Sequence, residues 1–328
     1  MGRSGRRQVS AQGGPGGSVI EALEQWAAER GYRAGWGSLA ALDHVRMDIE
    51  RRLAAGEIDP EFHRDQLASL QYSASQELPD AKRVLLIAVP RPAHTVRFTL
   101  DAGPFDTVLP PTYVWYNGLP EEVRHDLDAQ VFHGQFRLAI LSAPLKALAS
   151  RLGLVVYGRN NITYVPGLGS YFQLVGFLTD AELDLPAGWG PQSARQMPEC
   201  ENCESCRNAC PSSAIGERRF LLHAERCLTL FTETPGQWPG WFSPSMHHCL
   251  IGCLACQQAC PENAGLLRIE PAGMCFSAQE TEAILSDDGQ RCGAAWPGIK
   301  QKLETVRMNH FEPVLSRNLR ALLPATAL

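Results

Sequence analysis

Apolar residues fall into two rhythms along this chain, and the change of rhythm marks its parts. Val19, Leu23 and Trp26 recur on one helical face, and Ser18 with Glu21 forms a capping-box pattern just ahead of them. Gly31 is placed to end that helix. Asp59-Pro60 signals a second start, with a helix through Phe62, Leu67 and Leu70. Residues 84–89 (VLLIAV) are a continuous apolar run closed by Pro90, and the short length and β-branched residues predict a buried strand. Pro110-Pro111 marks a loop before Tyr113, Val114, Trp115 and Tyr116. Ser142 caps a further helix, with Pro144 in its first turn, Leu145, Leu148 and Leu152 on one face, and Gly153 as its stop. A Gly-rich turn at 166–169 precedes a second strand over 171–178.

Helices alternating with buried strands predict an α/β (α+β) domain over residues 18–190. The Gly- and Pro-rich stretch 185–196 reads as a linker into a cysteine-rich module over 191–268. Ile299, Leu303 and Val306, then Leu315, Leu319 and Leu322, predict helices, which makes 269–328 a C-terminal helical segment. Residues 1–17 carry Arg3, Arg6 and Arg7 among Gly and Ser and read as a flexible tail.

Composition narrows the class. The 328 residues are 45% hydrophobic and 20% charged, as in a soluble globular protein, and the net charge of -5 carries no strongly basic nucleic-acid footprint. No run is long and apolar enough to span a bilayer, and no apolar stretch follows the basic start as a signal peptide requires. A cytoplasmic location is expected. Of 11 cysteines, nine crowd between Cys200 and Cys260. Without a secretory signal, metal or cluster ligation explains them better than a disulfide framework.

Their spacing is specific. Cys200, Cys203, Cys206 and Cys210-Pro211 read C-x2-C-x2-C-x3-C-P, the bacterial ferredoxin run. Closely spaced thiolates wrap one face of a cubane, and the fourth cysteine points to a second cluster. Cys253, Cys256 and Cys260-Pro261 form a second motif that lacks a cysteine three positions before Cys253. Cys227 is the expected replacement, with Cys249 as competitor. By the two-cluster crossover, Cys200, Cys203, Cys206 and Cys260 hold one [4Fe–4S] cluster, and Cys210, Cys227, Cys253 and Cys256 the other. Two zinc sites would use as many cysteines, but the paired C-P endings and the three-cysteine run favour iron–sulfur. Cys249, Cys275 and Cys292 are expected as buried core thiols.

The stretch from Cys200 to Pro261, with HAERCLTL around Cys227 and GCLACQQACPEN around Cys253, resembles the double-cluster half of epoxyqueuosine reductases. YGRNNITYVPGLGSYFQLVGFLTD upstream resembles the segment that precedes the clusters in that family. The resemblance runs over 82–264 and more weakly over the N-terminal helices. It implies a base-off cobalamin in the α/β domain, fed with electrons by the ferredoxin-like module from an external donor such as a flavodoxin or ferredoxin. It also implies that Gly158, Arg159 and Asn160 line the corrin pocket, and that Cys227 rather than Cys249 follows the family's HAER-type lead.

Two departures stand out. The family carries an Asp-Tyr-His triplet whose Asp is the proposed proton donor, and the matched positions here are Val131, Phe132 and His133. The residues after the second motif do not resemble the helical-repeat extension of many such reductases. His133 then becomes the candidate acid, although a lone histidine among apolar residues is more often structural. Tyr113, Trp115 and Tyr116 read as core packing, while Gly167 and Gly169 suit positive φ or close backbone approach. The expected function is a cobalamin-dependent iron–sulfur reductase acting on a small, unidentified substrate, with tRNA disfavoured by the missing carboxylate and the net charge. The alternatives are an electron-transfer module without corrin and a corrinoid-reactivating protein.

Overall fold

The computed structural model describes residues 18–74, 76–217, 220–287 and 291–323, so the expected tail over 1–17 lies outside the described residues. Helix α1 (Val19–Glu29) starts at its capping box: Ser18 Oγ accepts from the Glu21 amide at 3.2 Å, and the Glu21 carboxylate accepts from the Ser18 amide at 2.7 Å. Strand β1 (Arg33–Ser38) and helix α2 (Ala40–Ala54) follow. The predicted second helix is broken. Asp59 caps a single turn, α3 (Pro60–Phe62), which passes into a π-helical turn over His63–Leu67. None of these residues is buried, so no apolar face holds a regular helix together.

The apolar run lies in β2 (Arg83–Pro90), followed by the hairpin β3 (Ala93–Leu100) and β4 (Gly103–Leu109). Helix α4 (Leu119–Leu127) passes into a π-helical turn at Asp128–Phe132. Then come β5 (Leu138–Ile140), α5 (Leu145–Arg151), the short pair β6 (Val156–Tyr157) and β7 (Thr163–Tyr164), and β8 (Phe172–Thr179). The main sheet has the order β1-β2-β8-β5 and is antiparallel throughout. The α+β form of the expected fold is therefore the one found. Leu86 and Ala88 of β2 pack under α2 and α5, and Leu85 and Ile87 pack under α1 and α4. A strand covered on both faces has no polar side to alternate, which is why it reads as an unbroken apolar run.

Residues 185–196 are not a detached linker. Trp189 packs on the first core, and Tyr157 exchanges backbone hydrogen bonds with Arg195 (3.0 Å) and Met197 (2.8 Å). Three short helices carry the cysteine region: α6 (Ser205–Ala209), α7 (Leu228–Glu233) and α8 (Ala255–Gln258). The chain continues as β9 (Ile269–Phe276), α9 (Ala278–Leu285), α10 (Trp296–Thr305) and α11 (Glu312–Leu322). Residues 269–328 are thus not purely helical. β9 lies parallel to β3, and Phe276 stacks on Phe98 at 4.9 Å inside a core that also holds Ile299, Leu303 and Leu319. From α11, Asn318 is fully buried and donates to the carbonyls of Thr232 (2.8 Å) and Leu250 (3.0 Å), while Arg317 donates to that of Phe231 (2.8 Å). Among the described residues no helix is long and apolar enough to cross a membrane.

Candidate functional site

The cysteines fall into two neighbourhoods. Cys206 lies within electrostatic reach of Cys200, Cys203 and Cys260, and Cys200 of Cys203 and Cys260. Cys256 lies within reach of Cys253, Cys227 and Cys210, and more distantly of Cys206, while Cys253 feels Cys227 and Cys210. Cys249 is buried, and Cys253 is the one thiol among those that bear on it. Cys275 and Cys292 are exposed, contrary to the expected buried thiols; β9 turns Cys275 outward between buried Met274 and Phe276. None of the nine cysteines between Cys200 and Cys260 is in a disulfide. Nor do three His, Cys, Asp or Glu side chains among the described residues converge tightly enough to share one metal ion. Burial pushes the Cys206 thiol up to about 11 and that of Cys253 to about 12. Holding them as thiolates therefore takes positive charge, which iron supplies.

Arg159 braces the first neighbourhood. Its guanidinium donates to the carbonyls of Cys203 and Glu217 (both 2.9 Å), Glu201 (3.1 Å) and Cys200, and its amide donates to Cys200 Sγ at 3.4 Å. Gly169, at φ +61°, allows the backbone to approach the second motif, since a Cβ there would sit 2.5 Å from Asn263 Oδ1. That oxygen accepts from the Ser170 amide at 2.9 Å.

Two cavities, of 580 and 720 Å³, adjoin and share Pro111, Thr112, Tyr116, Ile162, Leu222 and Gln257. The smaller is walled by Cys210, Cys227, Cys253 and Cys256. The larger runs between α2, α5 and β8. Lys146 opens into it, bonded to the Asn161 carbonyl at 3.2 Å. Gln173 lines the same cavity. Its Nε2 donates to the Tyr116 carbonyl at 2.9 Å, and its buried Oε1 has no partner.

The residues expected from the sequence separate here. Asn160 is buried, lines the smaller cavity, and donates to Tyr164 Oη at 3.0 Å and, at 3.5 Å, to the Cys256 carbonyl. Gly158 and Arg159 line neither cavity. Gly158 leaves room for Asn160 and Tyr164, while Arg159 is spent on the cysteine loop. His133 ends the π-helical turn with φ 49°, its Nδ1 is 3.0 Å from the Ala129 carbonyl, and it also lines neither cavity. Val131 and Phe132 are buried in the core under α1 and α4. Tyr113 and Tyr116, read as core packing, line the smaller cavity, and so does Glu233, which no local motif singles out.

The 4Fe-4S double cluster binding domain family matches residues 199–263. An epoxyqueuosine reductase of Synechococcus sp. (strain RCC307) is 29% identical over 75% of both chains. That of Staphylococcus aureus (strain NCTC 8325 / PS 47) is 32% identical over 37% of this chain and 30% of its own length, so this match spans less than a third of the relative. Among solved structures, an epoxyqueuosine reductase with a tRNA-Tyr epoxyqueuosine-modified tRNA stem loop superposes with a TM-score of 0.68 at 20% identity, over 94% of this chain and 83% of that one. A selenomethionine-labelled epoxyqueuosine reductase gives 0.65 over 93% and 81%. The cysteine sets and the domain match define an iron–sulfur protein with two [4Fe–4S] clusters. In sequence and in fold it is similar to epoxyqueuosine reductases.

Proposed function

We propose that this chain is a reductase that holds one cluster on Cys200, Cys203, Cys206 and Cys260 and the other on Cys210, Cys227, Cys253 and Cys256, with a cobalamin in the adjoining cavities. The observation that carries this reading is the cavity wall made by the second cysteine set. Electrons leaving those thiolates would enter the cavity directly. A bound cobalamin would supply a low-valent cobalt able to deliver electrons to a carbon–oxygen bond. The lining suits a corrin rimmed with amide groups. Gln173 Oε1 is a buried acceptor in need of an N–H donor, Asn160 ties the wall to Cys256, and Lys146 offers a cation. The first cysteine set lies outside the cavity lining, beside exposed Glu201 and Asn202, and is the natural entry for electrons from a flavodoxin or ferredoxin in the cytoplasm.

The substrate class is epoxyqueuosine in tRNA rather than a small molecule. One ground against tRNA was Val131 in place of an acid, but Val131 is buried in the core under α1 and α4 and lines neither cavity, so it says nothing about an acid there. The solved relative that carries a tRNA stem loop shares the fold over nearly the whole chain. The test uses anaerobically reconstituted protein. Cobalamin should shift to a base-off visible spectrum on binding, and reduced protein with epoxyqueuosine tRNA should yield queuosine by mass spectrometry. An unchanged cobalamin spectrum would leave an electron carrier and reject the reductase.

A further inference from the structure

Reducing an epoxide to an alkene releases oxygen, and that oxygen must be protonated as its bond to carbon breaks. The cavities hold few groups able to do this. Of the carboxylates that line them, Asp48 is paired with Arg51, Arg52 and Arg151, Glu57 with Arg52, and Glu225 with His223. Asp59 is used as the cap of α3. Glu233 differs from all four. It ends α7, opens into the smaller cavity beside the second cysteine set, and takes its one hydrogen bond from a phenol, Tyr113 Oη, on Oε1.

The surroundings are built around this pair. Tyr113 is 8% exposed, and its ring packs against Phe311 at 5.5 Å. A Cβ at Gly252 would come within 2.3 Å of Tyr113 Oη, so the residue before Cys253 leaves space for the phenol, at φ +77°. Burial raises the Glu233 carboxyl above the ordinary carboxylate range, and the Tyr113 hydrogen bond partly offsets this. The titratable groups facing it are Tyr113 and Tyr116 from the segment after β4 and Cys227 from the start of α7, with His310 in the same cavity lining.

We propose that Glu233, positioned by Tyr113, donates the proton to the oxygen that leaves carbon in the reductive step. This rests on the reductase reading above. The balance is epoxide plus two electrons and two protons giving alkene and water. The electrons come one at a time from a reduced flavodoxin or ferredoxin through the clusters. Glu233 gives up its O–H proton as the carbon–oxygen bond breaks, and water supplies the second proton and restores the carboxyl. Tyr113 is the positioning residue, fixing one carboxyl oxygen so that the other faces the cavity.

The test compares the parent holoprotein with Glu233→Gln and Tyr113→Phe in three readouts: queuosine formation against pH, cluster and cobalamin spectra, and infrared titration of the carboxyl C=O band. Glu233→Gln should keep both clusters and bind cobalamin, lose the band, and lose turnover by a factor on the order of 10²–10⁴. Activity that needs a protonated carboxyl falls as pH rises through its pKa. The phenol stabilises the carboxylate, so Tyr113→Phe should move that alkaline limb and the infrared midpoint together to higher pH. Parent-level turnover in Glu233→Gln, or an unmoved limb in Tyr113→Phe, would overturn the assignment. A parent that forms no queuosine rejects the reductase reading itself. The infrared arm still decides on Glu233 in that case, because a band that persists in Glu233→Gln overturns its role.

Discussion

Arg159→Ala separates a cluster brace from a corrin ligand. The arginine reaches four carbonyls of the cysteine loop, and its contacts to Cys200 and Cys203 are partly buried whereas those to Glu201 and Glu217 are exposed. Exposed carbonyls regain water when the guanidinium leaves, so only the two partly buried contacts should count. A hydrogen bond from a cation is worth about 1.5–3 kcal/mol, which puts the loss near 3 kcal/mol at the lower end of that range. At about 1.4 kcal/mol per factor of ten, the loop carrying Cys200 and Cys203 would open roughly 100-fold more often. The amide bond to Cys200 Sγ survives the substitution and limits the damage. The assay is iron retention under an anaerobic chelator challenge, with electron paramagnetic resonance to distinguish the clusters and a visible titration for cobalamin. Loss of one cluster's signal with cobalamin affinity intact is expected, and Arg159→Lys should rescue only partly, because a point donor cannot span the carbonyls. Full iron retention with weakened cobalamin binding would refute the reasoning and return Arg159 to the cofactor pocket.

Three further outcomes are expected. Parent protein should carry about eight iron atoms and Cys227→Ala about four, while Cys249→Ala should keep both clusters, as read by iron and sulfide analysis. Gly169→Ala forces an L-residue into positive φ, at about 1–2 kcal/mol, and drives a Cβ into Asn263 Oδ1, so thermal unfolding should show a clear drop in Tm. Burial pushes His247 down to about 4, so the folded protein binds its proton less readily than the unfolded chain. Stability from this group is complete above pH ~6.5 and falls by about 3 kcal/mol as pH drops toward 4. Denaturant titrations of His247→Phe should show a flatter dependence across that window.

The features legible in the sequence are those set by neighbours along the chain. Cysteine spacing, the Ser18 capping box and the apolar run of β2 each declare themselves within a few residues, because a cubane, a helix end and a doubly covered strand impose local patterns. Long-range contacts leave no such mark. Nothing near Arg159 reveals that its partners are the carbonyls of Cys200 and Cys203, and nothing near β3 announces its pairing with β9. The second helix failed because its apolar spacing lacked anything to pack against. His133 was singled out by matching a short string, whereas its neighbours Val131 and Phe132 are held in the core by packing. Tyr113 looked like core because a ring can be buried and still present its hydroxyl edge to a cavity, whereas Tyr116 is exposed at the cavity.

The tie between α11 and the cysteine region bears on how the protein is assembled. Ribosomes release a chain from its N-terminus, so both cysteine motifs emerge before Asn318 is made. Until then the carbonyls of Thr232 and Leu250 lack the buried amide that joins them in the finished fold. Iron delivery therefore has a period in which the thiols are present and the brace is not, and synthesis of α11 closes it. A nascent chain paused ahead of this helix would be the form most open to a cluster-loading machinery, and also the form whose thiols are least protected from oxidation.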